Sequence, residues 1–258
     1  DPPLHEFLPN LEETLVEVTE AGDAATPEQR ELLAIVQSMH EQNPMLGLRG
    51  VRLGLMIPDF VKIQTRAILN AQVAVNKRGG DAIAKIMIPL VGHVNELSRV
   101  RGLLEAEADK IAEASGVTLD YKFGTMIEIP RGALTADEIA EEASFFSFGT
   151  NDLTQMAFGY SRDDAEGGFL LKYVEEKVLP VNPFQTIDAT GVGQLVEIAV
   201  QKGRATRPDI ELGVCGEHGG DPESIFFFES VGLDYVSCSP FRVPVARLAA
   251  AQAVLANK

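Results

Sequence analysis

The chain has 258 residues, 45% of them hydrophobic, and its 38 acidic side chains outnumber 22 basic ones to give a net charge of −16. A chain of this size can bury a substantial core, and α/β barrels of this length commonly form one domain, so we expect a single domain over residues 1–258. The acidic excess argues against sequence-independent binding of nucleic acid, because the phosphate backbone requires a surplus of Lys and Arg.

The two cysteines, Cys215 and Cys238, are too few for a disulfide framework, and no apolar run is long enough to cross a bilayer. These features favour a reducing compartment without membrane contact, and we expect a cytoplasmic protein, or a plastid protein if the source is a plant. The sequence begins Asp1-Pro2-Pro3, with neither an initiator methionine nor a targeting segment. We interpret it as a fragment or a processed product of a longer polypeptide.

Helical patterns come first in the chain. Thr26-Pro27 offers a cap and a first-turn proline, and apolar residues recur at helical spacing over residues 31–36 and 60–75. Between these predicted helices, residues 46–53 have the pattern of a strand. Residues 85–90 are short, apolar and interrupted by proline, which predicts a buried strand.

Strands and helices then alternate to the end of the chain. A helix over 95–114 precedes a strand that ends at Glu128, and Thr135-Ala136-Asp137-Glu138 has the pattern of a capping box. The further predicted elements are strands at 145–148, up to Cys215 and at 234–238, helices over 192–202, from Asp221 and from Val243, and a long connection over 157–183.

This alternation predicts parallel β-α-β units, and the near-continuous apolar strands fit a sheet that is covered on both faces. Six strands are predicted, whereas a (β/α)₈ TIM barrel has eight. Either the sheet is open and doubly wound, or the first one or two strand-helix units precede Asp1. Polar residues after the predicted strands favour the barrel, because barrel active sites gather residues from several strand ends. These residues are Arg49, Glu128, Asn151, Asp152 and Cys215.

Glu128 and Asp152 are the candidate metal ligands. Glu128 stands in Met-Ile-Glu-Ile-Pro and Asp152 in Gly-Thr-Asn-Asp, each after an apolar run. Two carboxylates without nearby His or Cys suit Mg²⁺ or Mn²⁺ better than zinc, and they leave coordination room for substrate oxygens and water. Either residue alone is better explained as a cap or a turn residue, but the pair in this context favours a metal site.

Arg49 and Arg162 are the candidate anion-binding residues, since a guanidinium grips a carboxylate or a phosphate with two hydrogen bonds. Arg162 lies in Ser-Arg-Asp-Asp, so a surface ion pair with a neighbouring aspartate explains it equally well. Arg52 faces away from Arg49 or forms a structural pair.

Cys215 is the candidate acid/base. A thiol beside a metal-bound enolate could deliver or remove a carbon-bound proton, although a buried cysteine is ordinarily a small apolar residue. That second interpretation is the one we favour for Cys238. The sequence Gly-Glu-His-Gly-Gly after Cys215 implies a loop that comes close to a ligand, which favours chemistry there. No Walker-type or Gly-x-Gly-x-x-Gly motif occurs, so the chain has no recognisable ATP or dinucleotide site.

Taken together, the motifs resemble the pyruvate, phosphate dikinase family of phosphoenolpyruvate (PEP)-utilising enzymes, in its carboxyl-terminal pyruvate/PEP-binding domain. The resemblance extends over the chain, through residues 1–9 (DPPLHEFLP), 43–47 (NPMLG), 149–155 (GTNDLTQ) and 237–244 (SCSPFRVP). PEP synthase and the sugar-phosphotransferase Enzyme I share the Gly-Thr-Asn-Asp-Leu-Thr-Gln and Cys-Gly-Glu patterns. The opening Pro-Pro-Leu-His-Glu-Phe resembles the dikinases.

The resemblance implies a (β/α)₈ barrel that runs the pyruvate side of a larger reaction, in which ATP, pyruvate and phosphate give AMP, PEP and diphosphate. Glu128 and Asp152 would hold Mg²⁺, and Cys215 would be the acid/base. The implied substrate-binding residues are Arg49, Glu128, Gly149, Thr150, Asn151, Asp152 and Arg162. Two further arginines, a nucleotide-binding domain and a phosphohistidine domain would precede Asp1 in the same polypeptide, and a homodimer is implied.

Three other interpretations stay open at this point. PEP synthase or Enzyme I would use the same half-reaction with different upstream domains. A metal-dependent lyase or aldolase that acts on pyruvate enolate would use similar carboxylates on a similar barrel. A catalytically inert binding or dimerisation fragment would retain the fold without the reaction.

Overall fold

A five-stranded parallel sheet surrounded by helices forms the structure, a computed structural model that describes residues 3–256, without the side chain of His5. Each strand pairs with the next strand in the sequence. The strands are β1 (Ala84–Ile88), β2 (Tyr121–Ile127), β3 (Phe145–Gly149), β4 (Glu211–Cys215) and β5 (Tyr235–Val236).

Helices precede the sheet and connect its strands. The α-helices of the described part are α1 (Leu11–Ala21), α2 (Pro27–Ser38), α3 (Gly50–Met56), α4 (Pro58–Asn76), α5 (Val94–Ser115), α6 (Pro130–Leu134), α7 (Ala136–Glu142), α8 (Thr150–Phe158), α9 (Arg162–Gly167), α10 (Leu170–Glu175), α11 (Val192–Thr206), α12 (Pro222–Ser230) and α13 (Val243–Ala256). Short 3₁₀ helices span Leu4–Phe7, Gly22–Ala24, Pro44–Leu46, Glu217–Gly220 and Pro240–Arg242. None of the helices within residues 3–256 combines the length and the apolar character needed to span a bilayer.

The topology confirms the α/β class with a parallel sheet. Strands that pair in sequence order are the arrangement of a (β/α)₈ barrel, whereas the strand order of a doubly wound sheet reverses at a switch point. Over residues 3–256 the sheet is an arc with β1 and β5 at its two edges. The order of the strands therefore fits the barrel and not the doubly wound alternative.

The predicted strand over residues 46–53 is wrong. Pro44–Leu46 forms a 3₁₀ helix and α3 follows directly. The backbone groups of this segment form local turns and bonds to side chains instead of a strand ladder. Arg52 Nη1 donates to two of its carbonyls at 2.7 and 3.1 Å, and Glu41 Oε1 accepts from Leu48 N at 2.6 Å. The sheet therefore has five strands in the described residues instead of the six predicted.

Two predicted helix starts have different outcomes. The start at Thr26 is confirmed, because Thr26 Oγ1 accepts from Gln29 N at 3.2 Å and Gln29 Oε1 accepts from Thr26 N at 2.9 Å. The capping box at Thr135 is wrong: this residue directly follows α6, and its hydroxyl donates to Arg131 O at 3.0 Å instead of capping α7. The long connection over 157–183 contains α9 and α10.

The sheet has an apolar outer face and a charged inner face, since successive side chains of a strand point to opposite sides. On the outer face Ile86 pairs with Phe123 and Phe146 with Leu212, and these residues form one core with α5, α7 and α11. The inner face carries Lys85, Lys122 and Glu211 at the beginnings of β1, β2 and β4. By the same alternation, residues at the ends of the strands reach the inner face on the opposite rim.

An ion pair crosses the inner face at the amino ends of the strands. Lys85 Nζ lies 2.6 Å from Glu211 Oε1, and Lys122 Nζ lies 3.5 Å from Glu211 Oε2. Three strand spacings separate β1 from β4, about 14 Å in a flat sheet. Contact over that span indicates that the sheet curves toward its inner face, as in a barrel.

Gln72 connects α4 to the segments that lead into β1 and β2. Its side chain is buried, and Nε2 donates to Ala82 O at 2.8 Å and to Asp120 O at 2.5 Å. A buried carbonyl that loses its donor destabilises a fold by about 1–3 kcal/mol. Gln72 therefore stabilises the frame of the sheet at a distance from its carboxyl rim.

Candidate functional site

Three candidate residues lie side by side at the carboxyl ends of β2, β3 and β4. Gly149 pairs with Cys215 in the ladder between β3 and β4, and Ile127 pairs with Phe148 in the ladder between β2 and β3. Glu128 follows Ile127 directly, so it stands next to Gly149. Strand alternation places the side chains of Glu128 and Cys215 on the inner face, at the rim opposite the lysine pairs.

Glu128 is buried at the centre of this rim, with 2% of its surface exposed. Its Oε1 accepts a hydrogen bond from Leu90 N at 2.7 Å. Leu90 has φ +60°, a left-handed conformation that costs about 1–2 kcal/mol for a residue with a Cβ. A Cβ at Gly149 would overlap Glu128 Oε2 and lie 2.8 Å from Met126 Cε, so only glycine fits beside this carboxylate.

Asp152 faces Glu128 from the first turn of α8. Burial raises the pKa of Glu128 to about 8; the negative charge of Asp152 adds to the rise, and the Leu90 amide and the positive charge of Arg49 oppose it. Two carboxylates that come this close in a buried site repel one another when both are ionised. A divalent cation is the ligand that relieves this repulsion.

Asn151 supplies a further oxygen beside the two carboxylates. Its Oδ1 is a buried acceptor without a hydrogen-bond donor among the described residues. Within residues 3–256 no three His, Cys, Asp or Glu side chains assemble into a metal site. The candidate donors at this rim are two carboxylates and one amide oxygen. This all-oxygen set, incomplete by itself, fits Mg²⁺ or Mn²⁺, which retain water and substrate oxygens as ligands.

The loop after Cys215 approaches Asn151 closely. Gly216 has φ +101°, and a Cβ on it would lie 3.1–3.2 Å from the side-chain amide of Asn151. Glycine tolerates both this conformation and this approach. The structure thus brings the Cys215 loop against the first turn of α8.

Cys215 is half-buried, and its Sγ lies 3.6 Å from Phe148 O. Burial raises the pKa of the thiol, the nearby charges of Glu128 and Asp152 raise it further, and a hydrogen bond with Ser147 opposes them. The thiol is therefore protonated at neutral pH. Cys238 packs against the apolar cluster of α12 and α13, as predicted for a structural cysteine.

Arg49 is buried at the beginning of α3. Its Nη1 lies 3.4 Å from Met45 O and 3.6 Å from Met45 Sδ, and its charge acts on Glu128. Arg52 instead bonds to the loop before α3, which confirms a structural role for that residue. Of Arg49 and Arg52, only Arg49 acts on the carboxyl group of Glu128.

Arg162 lies at the beginning of α9, one-third exposed. Its Nε lies 3.0 Å from Glu166 Oε2, and its guanidinium lies 5.7 Å from the ring centroid of Phe184. Arg162 therefore forms an ion pair, and its partner is Glu166. Arg162 also lines a cavity of about 350 Å³, together with Asn151 and Asp152. Arg162 thus has both features: it forms an ion pair, and it lies beside Asp152 at the edge of the cavity.

One contact in the site has no signal in the sequence. The hydroxyl of Thr150 lies 2.7 Å from Nδ1 of His218, and Nε2 of that ring lies 2.8 Å from Pro183 O. Thr150 and His218 are fully buried. The hydroxyl of Thr150 is occupied by this bond, so a ligand in the site would meet the backbone of this residue.

The model of the family "PEP-utilising enzyme, PEP-binding domain" matches residues 1–255. The chain belongs to this family.

Three similar proteins are pyruvate, phosphate dikinases by name. Pyruvate, phosphate dikinase of Clostridium symbiosum is 55% identical over 100% of this chain and 29% of its own length. The chloroplastic pyruvate, phosphate dikinase of Flaveria pringlei is 54% identical over 99% of this chain and 26% of its own length, and pyruvate, phosphate dikinase 2 of Zea mays is 52% identical over 99% and 29%. The chain thus spans less than a third of the length of these relatives.

The raised pKa of Glu128 predicts a pH-dependent loss of stability. The unfolded carboxyl ionises near its ordinary pKa of 4.5, whereas the folded one ionises near 8. The folded state therefore loses stability as the pH rises through this window, and the loss is complete above it. We expect Glu128→Gln to exceed the wild type in stability by about 2 kcal/mol at pH 8 without divalent cations, and by little at pH 4.5. Urea unfolding at the two pH values measures the difference.

Glu107→Gln is the matched control for this variant. Glu107 is also a buried carboxylate, but Arg66 Nε lies 2.5 Å from its Oε1 and lowers its pKa, so neutralising it should reduce stability. Added Mg²⁺ should stabilise the wild type and Glu107→Gln but not Glu128→Gln. A Glu128→Gln variant with wild-type stability at both pH values would contradict the repulsion.

Proposed function

We propose that residues 1–258 form the pyruvate/PEP-binding barrel domain of a pyruvate, phosphate dikinase and carry out the pyruvate-side half-reaction. The observation that carries this proposal is the assembly of Glu128, Asp152 and Cys215 on one rim of the sheet. The names of these relatives support the dikinase over the synthase and Enzyme I. The nucleotide-binding and phosphohistidine domains would belong to the same longer polypeptide.

In this proposal Glu128 and Asp152 would hold Mg²⁺, with the amide oxygen of Asn151 nearby. The bound cation would supply positive charge to offset the negative charge that develops on the enolate and the phosphoryl group. Arg49 and Arg162 bind the carboxylate and phosphoryl oxygens of PEP, which their planar guanidinium groups suit. Gly149, Thr150 and Asn151 contact the substrate through the backbone at the beginning of α8, where free amides favour anions.

Cys215 moves the proton in this half-reaction. When PEP is converted to pyruvate, the bond between phosphorus and the enol oxygen breaks as a bond forms between phosphorus and a histidine nitrogen of another domain. The enolate then takes the thiol proton of Cys215 at C3 and becomes pyruvate. In the opposite direction the thiolate removes a methyl proton. The raised pKa of Cys215 supports the first role, since a proton donor must be protonated at neutral pH.

We further propose that the protein acts as a homodimer, in the cytoplasm or in a plastid. Support for the dimer comes from exposed apolar side chains on and beside α13, namely Phe241, Leu248 and Leu255. Support for the plastid comes from the name of the Flaveria relative.

Sedimentation equilibrium tests the dimer and should give twice the chain mass for the wild type. The double variant Leu248→Glu with Leu255→Glu should give the monomer mass, because charged side chains would replace the apolar ones. A wild-type monomer would contradict the dimer.

Calorimetric titration with PEP tests the proposed function. We expect wild-type binding that requires Mg²⁺, is lost in Glu128→Gln and is retained in Cys215→Ala. In the longer polypeptide, Cys215→Ala should lower the rate of pyruvate formation by at least about 100-fold, because the proton donor is missing. Binding of PEP without Mg²⁺, or pyruvate formation by Cys215→Ala at the wild-type rate, would contradict the assignment. A folded chain that binds nothing would support the inert-fragment interpretation.

Arg162→Lys tests whether this arginine binds substrate or serves only as the ion-pair partner of Glu166. Lysine keeps the charge but lacks the planar fork, so we expect the dissociation constant of PEP to rise about tenfold. Arg204→Lys is the control, since Arg204 Nη2 lies 3.2 Å from Asp234 in an ion pair at the amino end of β5. The control should leave the constant within about twofold of wild type. Equal constants in both variants would leave Arg162 a structural residue.

A further inference from the structure

His218 is a fully buried imidazole with a partner at each ring nitrogen. A backbone carbonyl can only accept, so Nε2 carries the proton that is donated to Pro183 O. Nδ1 is then unprotonated and accepts the hydroxyl proton of Thr150. Burial lowers the pKa of His218, which keeps the ring in this neutral form.

The two hydrogen bonds join three segments that are far apart in the sequence. His218 lies in the 3₁₀ turn that follows Cys215, and Thr150 is the first residue of α8. Pro183 ends the connection that carries α9 and α10. Thr150 and His218 are 68 residues apart, and His218 and Pro183 are 35 apart.

The bond between Thr150 and His218 lies next to the candidate metal ligands. The ladder between β3 and β4 ends at the pair of Gly149 and Cys215. One residue beyond it, Thr150 is fastened to the loop of the neighbouring strand by His218. Asn151 and Asp152 follow Thr150 directly in the same helical turn. The place of the Asp152 carboxylate relative to Glu128 therefore depends on how Thr150 is held.

We propose that His218 is a positioning residue: through Thr150 it holds the first turn of α8 so that Asp152 meets Glu128, and it thereby sets the affinity of the site for a divalent cation. The inference rests on the proposed function, because it takes the two carboxylates to be cation ligands. An apolar side chain could fill the same volume, but it would leave the Thr150 hydroxyl and the Pro183 carbonyl buried without partners.

The test is a titration of the chain with Mn²⁺, whose free ion is counted by its paramagnetic resonance signal. We expect His218→Leu and Thr150→Val each to raise the dissociation constant of Mn²⁺ about tenfold, the low end of the effect of outer contacts on metal sites. Because both remove the same bond, the double variant should bind almost as well as either single variant. Thr150→Ser, which keeps the hydroxyl, should recover most of the affinity lost in Thr150→Val.

Gln72→Met is the control for a general loss of stability, since it removes buried hydrogen bonds of α4 away from the carboxylates. It should lower the melting temperature and leave the dissociation constant within about twofold of wild type. Nitrogen-15 resonances of the wild type should show a neutral His218 ring protonated on Nε2. That signal should be unchanged in Gln72→Met.

Each outcome decides one question. Wild-type Mn²⁺ binding that is lost in Glu128→Gln, together with weakened binding in Thr150→Val and rescue in Thr150→Ser, supports the inference even if His218→Leu fails to fold. Wild-type affinity in Thr150→Val or His218→Leu, at a lowered melting temperature, overturns the inference and leaves the proposed function intact. Absence of Mn²⁺ binding by the folded wild type overturns both.

Discussion

The burial of the Glu128 carboxylate beside Asp152 is the constraint on which the site depends. Several local features that are unfavourable in isolation serve it. The left-handed backbone at Leu90 directs an amide toward Glu128, and the absence of a side chain at Gly149 leaves room for its second oxygen. Arg49 supplies only part of the opposing charge, since the pKa of Glu128 is still raised. Ionisation of Glu128 beside Asp152 is thus unfavourable in the folded chain, at a point where a bound cation would relieve the repulsion.

The two rims of the inner face make opposite use of charge. At the amino ends of the strands, Glu211 meets two lysines, which lower its pKa and hold the sheet in a curve. At the carboxyl ends, Glu128 meets another carboxylate and its pKa rises. The ion pairs stabilise the fold at the amino rim. At the carboxyl rim the negative charges are only partly compensated, which favours the binding of a cation. This division agrees with the general pattern of barrels, in which the carboxyl rim carries activity and the amino rim stability.

Local sequence signals predicted the parts of the structure that are held together locally. The start of α2 follows from Thr26 and Gln29, which bond to each other within one turn. The sequence indicates the carboxylates at 128 and 152 because each closely follows an apolar run: Glu128 comes directly after β2, and Asp152 lies three residues beyond β3. The strand predicted over 46–53 is wrong because local turns and the side chains of Arg52 and Glu41 bind its backbone, which the pattern of apolar residues does not reveal.

Contacts between distant segments were the part that the sequence did not show. Nothing in Gly-Glu-His-Gly-Gly indicates that the ring of His218 reaches Thr150 and Pro183. A surface ion pair of Arg162 with a neighbouring aspartate is one of two interpretations that the sequence allows, whereas the partner in the structure is Glu166, one helical turn further on. That partner could have been found, because residues four apart on a helix face one another and α9 begins at Arg162. A fold-level contact such as that of His218 requires the structure.

A chain with a net charge of −16 must still attract an anionic substrate in the proposed reaction. The average field of the protein opposes this, so the attraction has to be local. With both carboxylates ionised, the rim would repel a phosphate ester. A divalent cation held by Glu128 and Asp152 would offset this negative charge. Arg49 is buried beside the carboxylates and cannot leave, whereas Arg162 is one-third exposed and paired with Glu166. In the proposed reaction the cation would therefore bind before the substrate, and Arg162 would exchange its partner Glu166 for the phosphoryl group.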